Sequence, residues 1–319
     1  MAGEFDLISR HFDWPAPPGV LGVGDDCALI PVSAGHRLAV TKDLLVEGCH
    51  FFSDVDPECL GHKSLAVNVS DLIAMGAKPV GCVLGLSLPA IDEPWLERFA
   101  SGFRAFAQAS ACPLVGGDTT RSPAGIMISV TAMGEVPEEK ALKRSAAVPG
   151  DDIWISGTLG GPHFALELLQ GRYPHLAHLL PEVRASLEKP QPPILLGPAL
   201  AGLAHAAIDV SDGLLQDLGH IVRASACGAE LEYAHLPRHA GLDGLDPGIV
   251  QPALLGGGDV YQLCFTASPD KREAIRALGE QHALQVTRIG RIVQRAGITV
   301  AGAPFDVGPG YHAGYDHFK

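Results

Sequence analysis

Aspartates in turns rich in glycine or serine are the residues of this sequence best suited to chemistry. They occur in five segments: Gly24-Asp25-Asp26, Lys42-Asp43, Ser70-Asp71, Gly116-Gly117-Asp118-Thr119-Thr120 and Asp209-Val210-Ser211-Asp212-Gly213. Any one of them alone is also typical of an ordinary turn or helix cap. If the carboxylates converge, however, they repel one another and stay ionised only with cations between them. Oxygen-rich sites of this kind bind Mg²⁺, which in turn binds phosphate groups.

The pair Asp209 and Asp212 is the strongest single signal, because the segment 213–224 that follows has a helical pattern. One aspartate then precedes the helix and the other lies at its start, so both can face the positive end of the helix dipole together with Ser211. Arg144 is the best candidate for direct contact with a phosphate. A solvated charge in a linker is an equally valid interpretation of Arg144, and both stay open at this stage.

Other phosphate and catalytic motifs are absent from the sequence. There is no G-x-x-x-x-G-K-[ST] loop, and the start Gly22-Val23-Gly24 continues to Cys27, where a dinucleotide fingerprint requires glycine. There is no G-x-S-x-G nucleophile elbow, and the pair Cys49-His50 lacks the further ligands of a zinc site. Covalent catalysis is therefore not expected, whereas phosphoryl transfer needs only positioning and neutralisation of charge.

Composition excludes several classes of protein. The chain has 319 residues, a net charge of −13 and 47% hydrophobic residues, which excludes disorder as its main state and suggests about two domains. The acidity argues against nucleic acid as a partner, and no apolar run reaches the ~20 residues of a membrane helix. Seven cysteines without a C-x-x-C pair and the lack of a signal peptide indicate a cytoplasmic protein.

The elements that must position these residues alternate between short β-rich runs and helical patterns, which is typical of α/β or α+β domains. The first half predicts strands at 37–46, 80–88, 114–115 and 126–136, with helices at 62–75 and after Asp92. The second half predicts strands at 152–156, 207–210, 260–266 and 286–293, with helices at 164–169, 194–203 and 213–224. Segment 236–248 is interpreted only as a loop. We place an N-terminal domain at 1–137, a linker at 138–150 and a C-terminal domain at 151–319.

Longer motifs resemble the thiamine-monophosphate kinases, a family of the aminoimidazole ribonucleotide synthetase-like superfamily. They are GEFDLISRHF, GVGDDCAL, LLVEGCHF, KSLAVNVSDLIAMGAKP, LVGGDTTRSP, ALKRSAAVPGD, AIDVSDGLLQDLGHI and GYDHF. The resemblance implies an N-terminal α/β domain, whose mixed sheet pairs across a two-fold homodimer, and a C-terminal α+β domain. It also implies ATP and several Mg²⁺ in the cleft between the domains, and transfer of the γ-phosphoryl group of ATP onto thiamine monophosphate, giving thiamine diphosphate and ADP.

The same resemblance assigns roles to single residues. The implied metal ligands are Asp26, Thr41, Lys42 (at most through its carbonyl), Asp43, Asp71, Asp118, Asp209 and Asp212. Of these, Asp43, Asp71, Asp118 and Asp212 are expected to be catalytic. Gly117, Asp118, Arg144 and Ser211 fall where the family contacts ATP. His50, Asp259 and Phe318 fall where it contacts thiamine monophosphate, with Phe318 stacking on a ring of the substrate.

Departures from the family pattern keep alternatives open. Lys42 stands where the family has a small or acidic residue, and GGEDYEL appears here as Gly257-Gly258-Asp259-Val260-Tyr261-Gln262-Leu263. Asp259 is one methylene shorter than the expected glutamate. A selenophosphate synthetase would need a lysine near Cys27, and a hydrogenase-maturation relative would end in a reactive cysteine. A non-catalytic scaffold that binds nucleotide and metal is a further alternative, supported by the changes at 258–262.

Overall fold

The structure is a computed structural model that describes residues 4–23, 27–308, 311, 314 and 315. The chain divides into two compact units, the first containing the residues up to Leu72 together with Ala77–Glu139, and the second containing Ile73–Gly76 and the residues from Lys140 onward. The helices are α1 (Glu4–His11), α2 (Pro57–Ala74), α3 (Glu93–Ala109), α4 (Gly161–Leu169), α5 (Leu180–Glu188), α6 (Leu196–Leu200), α7 (Leu214–Ala224), α8 (Pro247–Gly256) and α9 (Arg272–Gln281). The strands are β1 (His36–Val46), β2 (Lys78–Leu88), β3 (Leu114–Arg121), β4 (Met127–Pro137), β5 (Asp152–Ser156), β6 (Ala206–Asp209), β7 (Gly228–Glu232), β8 (Leu263–Ala267), β9 (Val286–Val293) and β10 (Gly297–Ala301).

The sheet of the first unit is mixed, as expected. Its strand order is β1-β4-β2-β3, with β4 antiparallel to both β1 and β2, and β3 parallel to β2. Strand β1 is therefore an edge strand, and among the described strands it pairs with β4 alone. Its side chains alternate: Thr41, Asp43 and Leu45 are less exposed than Val40 and Leu44, because successive residues of a strand point to opposite faces of the sheet.

Helix α2 is the central helix of the first unit. From Leu60 to Ile73 every residue is buried except Asp71, which is the pattern of a helix covered on all sides. It lies very close to α3, since a Cβ atom added to Gly102 would be 1.9 Å from the carbonyl oxygen of Glu58. Only glycine at position 102 permits this contact between the two backbones.

The second unit is built on a six-stranded mixed sheet in the order β10-β7-β9-β5-β8-β6. Strands β10 and β7 are parallel, and the remaining pairs are antiparallel. One hydrophobic cluster forms the core and contains residues from these strands and from α4, α5, α7 and α8, with Phe164 and Leu218 fully buried. The α+β class expected for this part of the chain is confirmed.

Several element boundaries differ from the sequence-based expectation. Helix α2 begins at Pro57 rather than at 62, because the Asp56 side chain accepts a hydrogen bond from the Glu58 N–H group at 2.8 Å and caps the helix. Strand β3 continues to Arg121 through its pairing with β2. Helices α1, α5, α8 and α9 and strands β7 and β10 were not predicted. None of the helices described here combines the length and the hydropathy that a membrane-spanning segment requires.

Candidate functional site

Thr41, Asp43 and Asp71 form the first cluster of predicted site residues. Thr41 and Asp43 are two positions apart on β1 and therefore share one face of the sheet. Asp71 lies on α2, and its carboxylate accepts a hydrogen bond from the Thr41 hydroxyl group. The structure thus brings together three of the residues that the sequence places in separate motifs.

The Asp43 carboxylate lies in an environment suited to a cation. Its Oδ2 atom is buried and accepts no hydrogen bond from any described residue. Burial and, second, the negative charge of Asp71 raise the pKa of Asp43 from 3.8 to about 7. A buried carboxylate oxygen without a donor is stable as an anion only beside positive charge. The three oxygen donors of this cluster therefore fit Mg²⁺.

Lys42 lies between two of these residues, but its side chain stands on the opposite face of the sheet. Its ammonium group donates a hydrogen bond to the Ser129 hydroxyl group on β4. The Lys42 side chain therefore cannot join the cluster. Only its backbone carbonyl group, as expected from the sequence, is left to contribute.

Gly117 and Asp118 lie on β3, at the other edge of the sheet. The strand register pairs Asp118 with Gly85, Gly85 with Ser129, and Ser129 with Leu44 on β1. Asp118 is therefore three strands away from β1. At ~4.8 Å between neighbouring strands, this separation is about 14 Å. Within one chain, Asp118 and Asp43 are too far apart to bind the same ion. Gly117 and Asp118 instead line a cavity of about 50 Å³ beside Phe12.

A larger cavity of about 790 Å³ also lies in the first unit, with Trp14, Ile30 and Arg104 in its walls, and it contains none of the predicted site residues. His50 follows β1 in a tight turn, where its Nδ1 atom accepts a hydrogen bond from the Val46 N–H group at 3.0 Å. The neutral ring therefore carries its proton on Nε2.

The second unit holds another cluster of predicted site residues, formed by two loops. Asp209 ends β6 and is 4% exposed, and Ser211 and Asp212 follow it in the loop before α7. The Ser211 carbonyl oxygen accepts a hydrogen bond from the Asp259 N–H group at 2.7 Å. A Cβ atom added to Gly258 would be 2.5 Å from that same oxygen, so glycine at position 258 permits the close approach of the two loops.

The segment that departs from the family pattern has an unusual backbone. Asp259 and Tyr261 have φ values of 59° and 52°, in the left-handed region that non-glycine residues rarely occupy. The Tyr261 hydroxyl group donates a hydrogen bond to Asp259 Oδ1 at 3.2 Å, and Val260 is buried in the core. Tyr261 thus orients the shorter acid, and Val260 occupies an apolar position where a second acid would be desolvated.

Arg144 lies in a short 3₁₀ turn, Arg144–Ala146, and is exposed. The Ser225 hydroxyl group fixes this turn by donating to the Arg144 carbonyl oxygen at 2.9 Å. His220 and Arg223 lie nearby on α7 and were not predicted as site residues. Burial, followed by the charges of Arg223 and Arg144, lowers the pKa of His220. The sequence signal for this cluster is the spacing of three between His220 and Arg223 on a helix.

Asp26 and Phe318 lie outside the described residues. Tyr315 is described, and its N–H group donates to the Asp212 carbonyl oxygen at 3.0 Å. Gln216 Nε2 donates both to Asp212 Oδ2 at 3.0 Å and to the Tyr315 carbonyl oxygen at 2.8 Å. The chain just before residue 316 therefore lies against the second cluster. Among the described residues, no group of three His, Cys, Asp or Glu side chains is close enough to hold a metal ion by itself.

Comparison with known proteins identifies the family. The N-terminal domain of the AIR synthase related proteins matches residues 24–136, and their C-terminal domain matches residues 148–302. The thiamine-monophosphate kinase of Salmonella typhimurium is 42% identical, over 99% of this chain and 98% of that protein.

Solved structures agree with this match. The thiamine-monophosphate kinase of Stenotrophomonas maltophilia K279a is 44% identical, covers 93% of this chain and 94% of its own, and has a TM-score of 0.84. AaThiL complexed with AMPPCP and TMP is 32% identical, covers 91% of this chain and 90% of its own, and has a TM-score of 0.77. The chain belongs to the AIR synthase related family and, within it, to the thiamine-monophosphate kinases.

Proposed function

We propose that this chain catalyses transfer of the γ-phosphoryl group of ATP directly onto the phosphate of thiamine monophosphate. The bond between the γ-phosphorus and the bridging oxygen breaks, ADP leaves with the electron pair, and a phosphate oxygen of thiamine monophosphate forms the new bond. That oxygen is already ionised near neutral pH, because the second pKa of a phosphate monoester is about 6. No side chain is therefore needed as a strong base.

The observation that carries the proposal is the buried Asp43 Oδ2 atom, which receives no hydrogen bond from the described part of the chain and lies in a cluster with Asp71 and Thr41, in a chain of this family. These three residues in the first unit, and Asp209 and Asp212 in the second, would hold Mg²⁺. When bound, the metal would neutralise phosphate charge and stabilise the in-line transition state.

The other residues named from the sequence have matching chemistry. Arg144 and the Ser211 hydroxyl group are suited to bind ATP, since a guanidinium group and a hydroxyl group both donate to phosphate oxygens. His50, with its proton on Nε2, can donate to the phosphate of thiamine monophosphate. Asp259 is suited to a cationic or N–H group of the substrate. Phe318 remains a proposed stacking residue, and Asp26 a proposed metal ligand.

We also propose that the enzyme acts as a homodimer through the open face of the first sheet. Leu38, Val40, Leu44 and Val46 on β1 are all exposed, at 37% to 60%, and they flank the exposed Lys42 on one face of the sheet. A mainly apolar exposed face of this kind is typical of an interface. Within one chain Asp118 and Asp43 are far apart on the sheet. In a closed two-fold pair, Asp118 of the partner subunit could instead approach the β1 edge that carries Asp43.

All seven cysteines are free thiols, which fits a reducing cytoplasm.

Turnover of purified protein tests the proposed function. With ATP, Mg²⁺ and thiamine monophosphate, we expect the wild type to form thiamine diphosphate, and Asp71→Asn to lose activity by about 100-fold or more. The matched control is Asp54→Asn, which removes an exposed carboxylate of the same unit and should retain activity. A wild type that binds ATP but forms no thiamine diphosphate would favour the scaffold alternative.

A further inference from the structure

Asp217 is a buried carboxylate that the sequence analysis did not single out. It lies near the start of α7 and is 3% exposed. Its Oδ2 atom accepts three hydrogen bonds from successive backbone N–H groups: Ser211 at 3.1 Å, Asp212 at 3.0 Å and Gly213 at 3.0 Å. One oxygen atom thus holds the backbone of the whole loop that carries Ser211 and Asp212.

This arrangement is different from ordinary helix capping. A capping side chain lies before the helix and accepts from N–H groups inside it. Here Gly213 is the N-cap residue and makes no side-chain cap, and the accepting carboxylate lies inside α7. The three donors all precede the helix, in the segment that holds the proposed metal and ATP ligands.

We propose that Asp217 is a positioning residue for phosphoryl transfer, which holds the 211–213 loop in the conformation that binds Mg²⁺ and ATP. The proposal rests on the proposed function and deepens it. With three N–H groups fixed on one oxygen, the backbone of the loop has little freedom to rotate. The side chains of Ser211 and Asp212 are therefore set in place before the ligands arrive, which removes an ordering cost from binding.

Asp217→Asn is the sharpest variant, because it keeps the size of the side chain and replaces one of its two oxygen atoms with an NH₂ group that cannot accept a hydrogen bond. A side chain with a single accepting oxygen holds the three N–H groups less firmly, so we expect amide hydrogen exchange at residues 211–213 to be about tenfold faster in the variant without ligands. The Mg²⁺ concentration for half-maximal activity should rise by about tenfold, because the loop must then be ordered by the ligand.

Asp92→Asn is the matched control. Asp92 caps α3 in the other unit by accepting the Trp95 N–H group at 3.1 Å, and asparagine is an equally good cap. This variant should change neither exchange at 211–213 nor the Mg²⁺ requirement. Thermal unfolding of both variants establishes whether they are folded. Should Asp217→Asn not fold, Asp217→Ser, which retains a small acceptor, takes its place in the same measurements.

Two results would overturn the proposal: wild-type exchange at 211–213 in a folded Asp217→Asn protein, or faster exchange with an unchanged Mg²⁺ requirement. The second result would leave Asp217 with a structural role only. The exchange measurement needs no substrate, so it remains informative if the wild type has no kinase activity. That outcome would contradict the proposed function while still showing whether Asp217 holds the loop.

Discussion

The buried Asp43 carboxylate should destabilise the folded chain when no cation is bound. Its pKa is raised from 3.8 to about 7, chiefly by burial and then by Asp71. At 1.36 kcal/mol per pH unit, this difference corresponds to about 4 kcal/mol. Because the folded-state pKa lies above the unfolded value, the destabilisation is absent below pH ~4, grows as the pH rises and is complete above pH ~7.

Asp43→Asn removes this charge and keeps the shape of the side chain. In EDTA at pH 8 we expect the free energy of unfolding to rise by about 2 kcal/mol, which is less than the full 4 kcal/mol because the buried amide is also left without partners. At pH 4 the gain should vanish. Mg²⁺ should stabilise the wild type, since it binds the folded state, and should stabilise the variant far less. Urea denaturation followed by circular dichroism measures the effect of the substitution on the free energy of unfolding at pH 8 and at pH 4. It also measures the stabilisation by Mg²⁺ of the wild type and of the variant.

Asp54→Asn, in an exposed position, is the control. It should have the stability of the wild type in EDTA at pH 8 and should be stabilised by Mg²⁺ as the wild type is. The reasoning would be refuted if Asp43→Asn were less stable than the wild type in EDTA at pH 8. It would also be refuted if the variant kept the full stabilisation by Mg²⁺.

Three further perturbations test other parts of the structure. Gly102→Ala places a methyl group 1.9 Å from the Glu58 carbonyl oxygen, so we expect the free energy of unfolding to fall by about 3 kcal/mol in urea denaturation. Val40→Asp puts a charge on the open sheet face, where Val40 is 60% exposed; light scattering should show loss of the proposed dimer with the fold retained. Burial raises the pKa of Cys264 to about 12, so its thiol should resist Ellman's reagent at pH 8, whereas the exposed thiol of Cys27 should react within minutes.

Each perturbation has a matched control or a contrary outcome. Ser101→Ala alters an exposed position of the same helix and should leave stability within about 0.5 kcal/mol. Val32→Asp alters an exposed valine outside the sheet and should leave the oligomeric state unchanged. A dimer that persists in Val40→Asp would contradict the proposed interface. Rapid modification of Cys264 in the native protein would contradict the packing around β8.

Local signals in the sequence were sufficient for part of the fold. The helix expected after Asp92 is present with Asp92 as its cap, and the strand expected at 37–46 is β1. Strand β3 was underestimated, because Gly116, Gly117 and Asp118 have low strand propensity and are held in the sheet by pairing with β2. Helix α8 was missed because its glycines and prolines resemble a loop, although the Asp246 side chain caps it by accepting from Gly248 at 2.7 Å.

The candidate site shows the same division between local and distant information. Asp209 and Asp212 belong to one turn, so their proximity follows from the sequence. The contact between Thr41 and Asp71 depends on packing between α2 and β1, and the separation of Asp118 from Asp43 depends on the strand order. Asp217 gave no signal, because one polar residue in an amphipathic helix has the same pattern whether it faces solvent or binds a loop.

The central claim is direct transfer of phosphate from ATP to thiamine monophosphate, and isotope labelling tests it most directly. The protein would be incubated with Mg²⁺, thiamine monophosphate and ATP labelled with ³²P in the γ-phosphate, and the products separated by chromatography. We predict labelled thiamine diphosphate in an amount equal to the ADP formed, and neither product without Mg²⁺. ADP with label only in inorganic phosphate, or no ADP at all, would contradict the claim.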